Sequence, residues 1–367
     1  MKVEKLARRR IGALLLALML VGAACGGDDD GGNAGGDDGG GGELEAVDVG
    51  LSTGGVFAYG YLIAEELGFY DDEGYDVSLQ PTGGSSDVAH LLASKNVVAG
   101  MGVPGAMLPA IEQGSDLYPF FTYAYGEVFD VVVPDGSDIT SIADLAGKTI
   151  GISDLAGGET PLVKALLSEA GIDPDSGVEL LEIGAGPPKV QLAFDRGDID
   201  AYSSAKSDIA RITSSGIALS SIAPESLSEL PAEGLLAHAD TKDDRELLVA
   251  LGRATAKGQL IAYTNPDAAV CVLKEQIPEE FTDEAAGRAS LEAVIPITQA
   301  PEGDDGYEFG FLDAEGWNTY VEIFIQGGVL TGDIDMAQYV IDDLVEDIND
   351  FDQQEIVDMA NELPTDC

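Results

Sequence analysis

From residue 43 onward, short apolar runs of strand length alternate with amphipathic stretches of helical period. This alternation is typical of an α/β fold with mostly parallel sheets. It predicts strands at residues 46–52, 75–79, 97–102, 117–125, 129–133, 148–152, 180–183 and 199–202. It predicts helices at residues 58–67, 86–93, 106–113, 161–170, 189–195, 244–263, 268–275, 314–326, 336–348 and 353–362. Gly68, Gly114 and Gly171 each follow a predicted helix, as expected of residues that end a last turn.

The first residues of the chain have a different pattern. Basic residues precede an eleven-residue apolar run at 11–21, which leads through small residues to Cys25. The run is too short for a spanning helix of about 20 residues, so residues 1–24 are predicted to be a secretory signal peptide. The small residues before Cys25 resemble the lipobox of bacterial lipoproteins, although Gly22 stands where leucine is usual. The resemblance implies lipidation of Cys25. An ordinary signal peptide with a chance cysteine is the alternative.

Residues 26–42 are almost entirely glycine and aspartate. Such a segment has no apolar group to bury and its charges repel one another. We therefore expect residues 25–43 to be a lipidated cysteine followed by a disordered tether. Together with the signal peptide, this predicts an exported protein that is lipid-anchored to the outer face of the cell membrane.

Acidic residues dominate the composition. The chain has 18 basic and 67 acidic residues and a net charge of −49. Five basic residues and one acidic residue belong to the predicted signal, so the remainder carries −53. With no basic patch to displace counterions, nucleic acid is excluded as a partner. The acidic residues are spread along the chain, which indicates a highly soluble or salt-adapted surface.

No pattern for catalysis or for cofactor binding occurs in the chain. It has no Gly-x-Ser-x-Gly elbow, no phosphate-binding loop and no dinucleotide fingerprint, and its two histidines are not near a cysteine. We therefore expect neither an enzyme, nor a metal site, nor a cofactor. Instead, turns rich in Gly, Ser and Thr follow predicted strands at residues 52–55, 82–86, 102–105, 154–160 and 184–187. Ligands of open α/β sheets bind where such turns gather, beside the N–H groups of helix starts.

Several of these segments resemble one family of solute receptors. Residues 64–77 (AEELGFYDDEGYDV) are similar to the opening motif of the substrate-binding proteins of ABC importers for nitrate, taurine, aliphatic sulfonates and pyrimidine vitamin precursors. Residues 83–85, 138–151, 157–159 and 197–201 match further motifs in the same order, and residues 316–352 resemble the family's tail. The resemblance extends over about residues 47–360.

The resemblance implies an α/β, two-lobed type II periplasmic-binding-protein fold with two crossover strands. Residues 44–126 and 240–367 would form lobe 1, and residues 127–239 would form lobe 2. A small-molecule ligand would be held between the lobes and delivered to an ABC permease and its ATPase, and we expect the protein to be a monomer. The alternative is a lipid-anchored sensor or scaffold that engages a protein partner.

Motif positions also imply a set of ligand-binding residues. These are Ser52, Thr53, Phe57, Tyr59, Gly84, Ser85, Val103, Pro104, Asp154, Gly157, Gly158, Glu159, Tyr202 and Ser203. The tryptophan-containing segment that family members often have after the strand ending at Tyr202 is absent.

The charges and rings of this set bear on the ligand. Asp154 and Glu159 would repel nitrate or a sulfonate. Two lysines, Lys189 and Lys206, are placed where they could neutralise an anionic ligand. The alternative is that both are ordinary surface residues. Aromatic residues near predicted strand ends either stack on a flat ring or pack in the core; they are Phe57, Tyr59, Tyr61, Tyr123 and Tyr125. We therefore expect a neutral or cationic, partly aromatic ligand, such as a pyrimidine-type vitamin precursor, with an anion receptor as the alternative.

Two cysteines remain besides Cys25. Cys271 lies in the helix that begins near Pro266, and Cys367 follows the last predicted helix. Both belong to lobe 1 in the implied fold, and the export signal indicates an oxidising setting. We therefore expect a disulfide between Cys271 and Cys367; the alternative is two free thiols.

Overall fold

The computed structural model describes residues 43–155, 157–228, 230–303 and 306–367. The predicted signal peptide, the lipidation site at Cys25 and the glycine–aspartate segment at 26–42 lie outside the described residues.

Twelve strands occur within the described ranges. They are β1 (Glu45–Leu51), β2 (Tyr75–Pro81), β3 (Ala99–Gly102), β4 (Leu117–Ala124), β5 (Phe129–Pro134), β6 (Thr149–Ile152), β7 (Glu179–Glu182), β8 (Ala201–Ala205), β9 (Leu219–Ser221), β10 (Glu233–His238), β11 (Glu302–Gly303) and β12 (Gly306–Tyr307).

The same ranges contain thirteen α-helices. They are α1 (Tyr59–Leu67), α2 (Phe69–Asp72), α3 (Ser85–Ala93), α4 (Pro104–Glu112), α5 (Glu159–Glu169), α6 (Pro187–Arg196), α7 (Lys206–Ser214), α8 (Arg245–Thr264), α9 (Pro266–Gln276), α10 (Glu284–Thr298), α11 (Ala314–Gln326), α12 (Val345–Ile348) and α13 (Gln353–Glu362).

Two five-stranded sheets form the centres of two lobes. The first has the order β2-β1-β3-β10-β4 and the second the order β7-β6-β8-β5-β9. In each sheet three neighbouring strands are parallel, while β10 and β5 are antiparallel to both of their neighbours. The predicted α/β class and two-lobed fold are confirmed. Both sheets are mixed rather than mostly parallel, because β5 and β10 each enter from the other lobe.

The chain passes between the lobes twice. It leaves the first sheet after β4 and enters the second at β5, and it returns between β9 and β10. The lobe boundary expected at residue 239 falls after β10, whereas the hydrogen bonds of β10 are all with β3 and β4 of the first sheet. The return crossing therefore lies before Glu233.

Helices from the C-terminal part of the chain pack against both lobes. Helix α10 packs against α7 of the second lobe, and α11 packs against α4 of the first lobe and α5 of the second. Trp317 and Phe324 of α11 share one buried hydrophobic cluster with Met107 of α4 and Leu166 of α5. The two lobes are thus joined by packing as well as by the chain crossings.

One helix expected near the C-terminus is wrong. Residues 336–348 form a short 3₁₀ turn at Met336–Gln338 and the single turn of α12, with irregular chain between them. In that connection the backbone N–H of Ile341 donates to the carbonyl of Pro119 in β4, at 2.8 Å. The N–H of Ile341 is thus paired with β4 instead of with a preceding helical turn.

A disulfide bond fastens the C-terminus. It joins Cys271 of α9 to Cys367, with their Cα atoms 5.7 Å apart and 96 positions between them along the chain. Within the described ranges no helix has both the length and the apolar character needed to cross a membrane.

Candidate functional site

A cavity of about 730 Å³ lies between the two lobes. Its lobe-one wall is formed by the turns after β1, β2 and β3, and its lobe-two wall by the turn after β6 and the start of α7. The parallel strands of both sheets therefore end at the cavity, as ligand sites of open α/β sheets do. The size is in the range of sites for small organic molecules.

Ten of the fourteen residues expected to bind ligand line this cavity. They are Ser52, Thr53, Phe57, Gly84, Ser85, Val103, Asp154, Gly157, Gly158 and Glu159.

The other four lie away from the cavity wall. Tyr59 is fully buried at the start of α1, where its hydroxyl is 2.6 Å from Oγ1 of Thr298. Pro104 is the buried first residue of α4. Tyr202 and Ser203 lie inside β8, between β6 and β5, and are fully buried. Residues within a central strand or at the inner side of a helix start are covered by the core, so these four are not part of the described cavity wall.

Most of the candidate stacking rings also belong to the core. Tyr123 stacks on Tyr61 at a centroid distance of 4.7 Å, and Phe57 meets its edge at 5.8 Å. The Tyr123 hydroxyl donates to the carbonyl of Phe57 at 2.9 Å and accepts from the N–H of Gly60 at 3.1 Å. This cluster fixes the turn that carries Phe57. Phe57 and Phe129 are the two aromatic residues of the described cavity wall.

Acidic residues dominate the charge of the cavity wall. Its carboxylates belong to Glu65, Asp154, Glu159, Asp208, Glu233, Glu279 and Glu280. Arg211 is the one basic residue of the described wall, and it forms ion pairs with Asp208 at 2.9 Å and with Glu280 at 2.7 Å. Lys189 and Lys206 are not part of the described wall. The potential inside the cleft therefore disfavours an anion.

Glu159 is the first residue of α5 and is 1% exposed. Its Oε1 accepts a hydrogen bond from Oγ of Ser153 at 2.6 Å and one from the N–H of Asp154 at 3.0 Å. Its Oε2 is buried with no hydrogen-bond partner among the described groups. Burial raises the pKa of Glu159 to about 8, against the lowering effect of these hydrogen bonds.

Glu233 occupies a similar environment on lobe one and was missed by the sequence reasoning. It begins β10, is 1% exposed and accepts a hydrogen bond from Oγ of Ser52 at 3.0 Å. Burial raises its pKa to about 8. A glutamate that starts a crossover strand carries no motif, so only the pairing of β10 with β3 and β4 reveals its place. Asp208 was missed for a related reason, because helix α7 was not predicted.

The lobes are in close contact at the cleft rim. A Cβ atom added to Gly105 would lie 2.1 Å from the carbonyl oxygen of Gly158, and one added to Gly158 would lie 2.1 Å from Cγ2 of Val103. These glycines belong to different lobes, so the structure is a closed conformation. Only glycine at both positions allows the two turns to approach this closely.

The fold of the chain is that of periplasmic binding proteins. The aliphatic sulphonate-binding protein of Escherichia coli aligns over 81% of this chain and 92% of its own, with 14% identity and a TM-score of 0.62. The alkanesulfonate-binding protein of Xanthomonas axonopodis pv. citri, bound to MOPS, aligns over 82% and 99%, with 15% identity and a TM-score of 0.64. The nitrate-binding protein of Synechocystis PCC 6803 aligns over 88% and 99%, with 12% identity and a TM-score of 0.59.

No curated protein sequence matches the chain. A family model does match, that of the NMT1/THI5-like proteins, over residues 58–269. This span contains strands of both sheets and both sides of the cleft, and it includes the segments between residues 64 and 201 in which the sequence resembles the solute receptors. The chain therefore belongs to the NMT1/THI5-like family.

Proposed function

We propose that this protein is an exported solute-binding protein that captures a small molecule between its lobes and delivers it to an ABC permease and its ATPase. The observation that carries the proposal is the cavity of about 730 Å³, whose walls are the turns at the strand ends of both lobes. Closure of two lobes around a solute both traps it and creates the surface that a permease can recognise. The fold and the family membership support the same role.

The ligand is a neutral or cationic, partly aromatic solute, for which a pyrimidine-type vitamin precursor is a model. The excess of carboxylates on the cavity wall supports the charge, and Phe57 and Phe129 supply apolar ring surface. The named ligands of the aligned sulphonate and nitrate receptors are anions. On the described cavity wall an anion would face an excess of acidic residues, and the one arginine there is already paired.

The protein works at the outer face of the cell membrane, held by lipid on Cys25. This part of the proposal rests on the sequence, namely the apolar run, the small residues before Cys25 and the glycine–aspartate segment after it. A folded receptor on such a tether stays close to its permease while remaining free to reorient.

A thermal-shift screen tests the binding role. The purified exported protein is heated with vitamins and their precursors, amines, sulfonates and nitrate, and a ligand of the closed state raises the midpoint of unfolding. At about one hundred times the dissociation constant, the added stability is about 2.7 kcal/mol. Stabilisation by no solute, with capture of a specific protein partner instead, would favour the sensor or scaffold alternative.

A further inference from the structure

Each lobe has a buried glutamate that accepts a hydrogen bond from a serine, and the two serines occupy equivalent positions in their sheets. Ser52 directly follows β1 and Ser153 directly follows β6. Both strands lie between two parallel neighbours, so the two serines are equivalent in topology. Ser52 donates to Glu233 and Ser153 donates to Glu159. The glutamates come from unrelated elements, a strand and a helix, yet both line the same cavity.

These carboxylates have no basic partner among the described residues. Neither Glu159 nor Glu233 takes part in an ion pair within the described ranges. Arg211, the basic residue of the wall, is bound to Asp208 and Glu280. An ionised carboxylate buried without a partner is costly, and a cation placed beside it removes most of that cost.

The hydrogen-bonding pattern specifies the kind of cation. Oε2 of Glu159 is buried and lacks a donor, while its other oxygen already accepts two hydrogen bonds. A ligand N–H group would supply the missing donor, which a quaternary ammonium cannot do. The same cavity wall also contains the apolar side chains of Phe57, Val103 and Phe129.

We propose that the cleft takes an organic cation with N–H groups at two ends, one bound by Glu159 of lobe two and the other by Glu233 of lobe one. This inference rests on the proposed function and narrows its ligand class. A two-ended cation bridges the lobes through charge-assisted hydrogen bonds, so it stabilises the closed conformation that the structure shows. The serines act as positioning residues, since each donates a hydrogen bond to one oxygen of its glutamate.

Binding of such a cation would release protons from the two glutamates to the buffer. Burial raises the pKa of both glutamates to about 8, so both are largely protonated in the empty cleft at pH 7. Asp208 beside Glu159 and Glu127 beside Glu233 raise these pKa values further. When a ligand ammonium binds, each carboxylic acid ionises and its proton passes to the buffer. The exchange releases about one proton for each carboxylate that is engaged.

A matched set of probes tests the ligand class. The purified protein is titrated calorimetrically at pH 7 with meta-xylylenediamine, with linear diamines of increasing length, with benzylamine, with the neutral diol analogue of the xylylene compound and with isophthalate. We expect a diamine to bind more tightly than benzylamine, and the diol and the dicarboxylate to bind weakly or not at all. Equal or tighter binding of the diol or of isophthalate overturns the inference.

Substitutions test the residues. Glu159→Gln and Glu233→Gln should each weaken diamine binding at least about tenfold, equivalent to about 1.4 kcal/mol, and should reduce the protons released. Glu169→Gln is the control, because Glu169 lies on the same helix as Glu159 but is exposed at its far end. Unchanged diamine affinity in both cleft variants contradicts the inference.

Two further outcomes separate this inference from the proposed function. If a Gln variant does not fold, the probe series on the unaltered protein decides the matter: tighter binding of a diamine than of benzylamine and of the diol supports the inference, and the reverse order overturns it. If no amine binds but another solute stabilises the protein, the receptor role stands and the cation class is wrong. If no solute of any class binds, both proposals fail.

Discussion

The contact between Gly158 and Val103 allows the closed conformation to be tested directly. A methyl group at residue 158 would lie 2.1 Å from Cγ2 of Val103, about 0.9 Å short of the closest approach that real Cβ atoms make, 3.0 Å. The backbone at Gly158 is in the right-handed helical region, so alanine itself causes no strain there. Overpacking of this kind costs about 1–3 kcal/mol. Because the two residues lie on different lobes, opening of the cleft relieves the clash.

We therefore expect Gly158→Ala to weaken ligand binding by about 5–150-fold, the factor that corresponds to about 1–3 kcal/mol of bias against closure. The thermal stability of the empty protein should change little, since the open form escapes the clash. Val103→Ala should restore much of the loss, because it removes Cγ2 and leaves Cβ of residue 103 at 3.6 Å.

Isothermal titration of the four proteins in this double-mutant cycle, with any ligand found in the screen, measures the coupling. Gly186→Ala provides the control, since no atom lies within 4 Å of its added Cβ. Additive effects of Gly158→Ala and Val103→Ala, or unchanged affinity in Gly158→Ala, would refute the closed-cleft reasoning.

Four other predictions concern stability and location. The carboxyl groups of Glu159 and Glu233 keep a proton in the folded state at pH values between the usual pKa of 4.5 and about 8. The empty protein should therefore lose stability as the pH rises through that range. Glu159→Gln should make the midpoint of thermal unfolding depend less on pH. Tyr59→Phe removes one buried hydrogen bond and should cost about 0.5–1.5 kcal/mol in chemical unfolding, with ligand affinity unchanged. Cys367→Ser breaks the disulfide to Cys271 and should lower the free energy of unfolding by at most about 4–5 kcal/mol. The finding of two alkylatable thiols in the exported, unaltered protein would contradict this bond. Cys25→Ser should move the protein from membranes to the soluble fraction, unless the unaltered protein is already soluble.

Helices α1 and α5, which contribute residues to the cleft, were predictable because a glycine marks the end of each. Gly68 and Gly171 follow these helices with positive φ, as expected from the sequence. Helix α10 was missed because Gly287 and Pro296 interrupt its pattern. These signals depend on neighbours in the chain, so they are visible in the sequence.

The chemistry of the site depended on contacts that no local pattern records. Glu233 meets Ser52 across 181 positions of chain, through a strand that runs antiparallel between β3 and β4. Tyr59 and Phe57 are both buried aromatic residues two positions apart, yet only Phe57 also lines the cavity. Whether such a side chain reaches the cavity depends on the order of the strands in the sheet and on the direction in which a helix begins. Both are set by the tertiary structure.

Helix α11 makes the two lobes parts of one cooperative folding unit. Its residues Trp317, Tyr320 and Phe324 are almost fully buried in a hydrophobic cluster that draws side chains from both sheets. The Tyr320 hydroxyl also donates to the buried carboxylate of Glu127, at the crossing from the first lobe to the second, at 2.6 Å. An excised second lobe would expose this apolar face to water, so it would lack the core that independent folding requires. Calorimetry of the whole protein would accordingly record a single transition rather than one for each lobe.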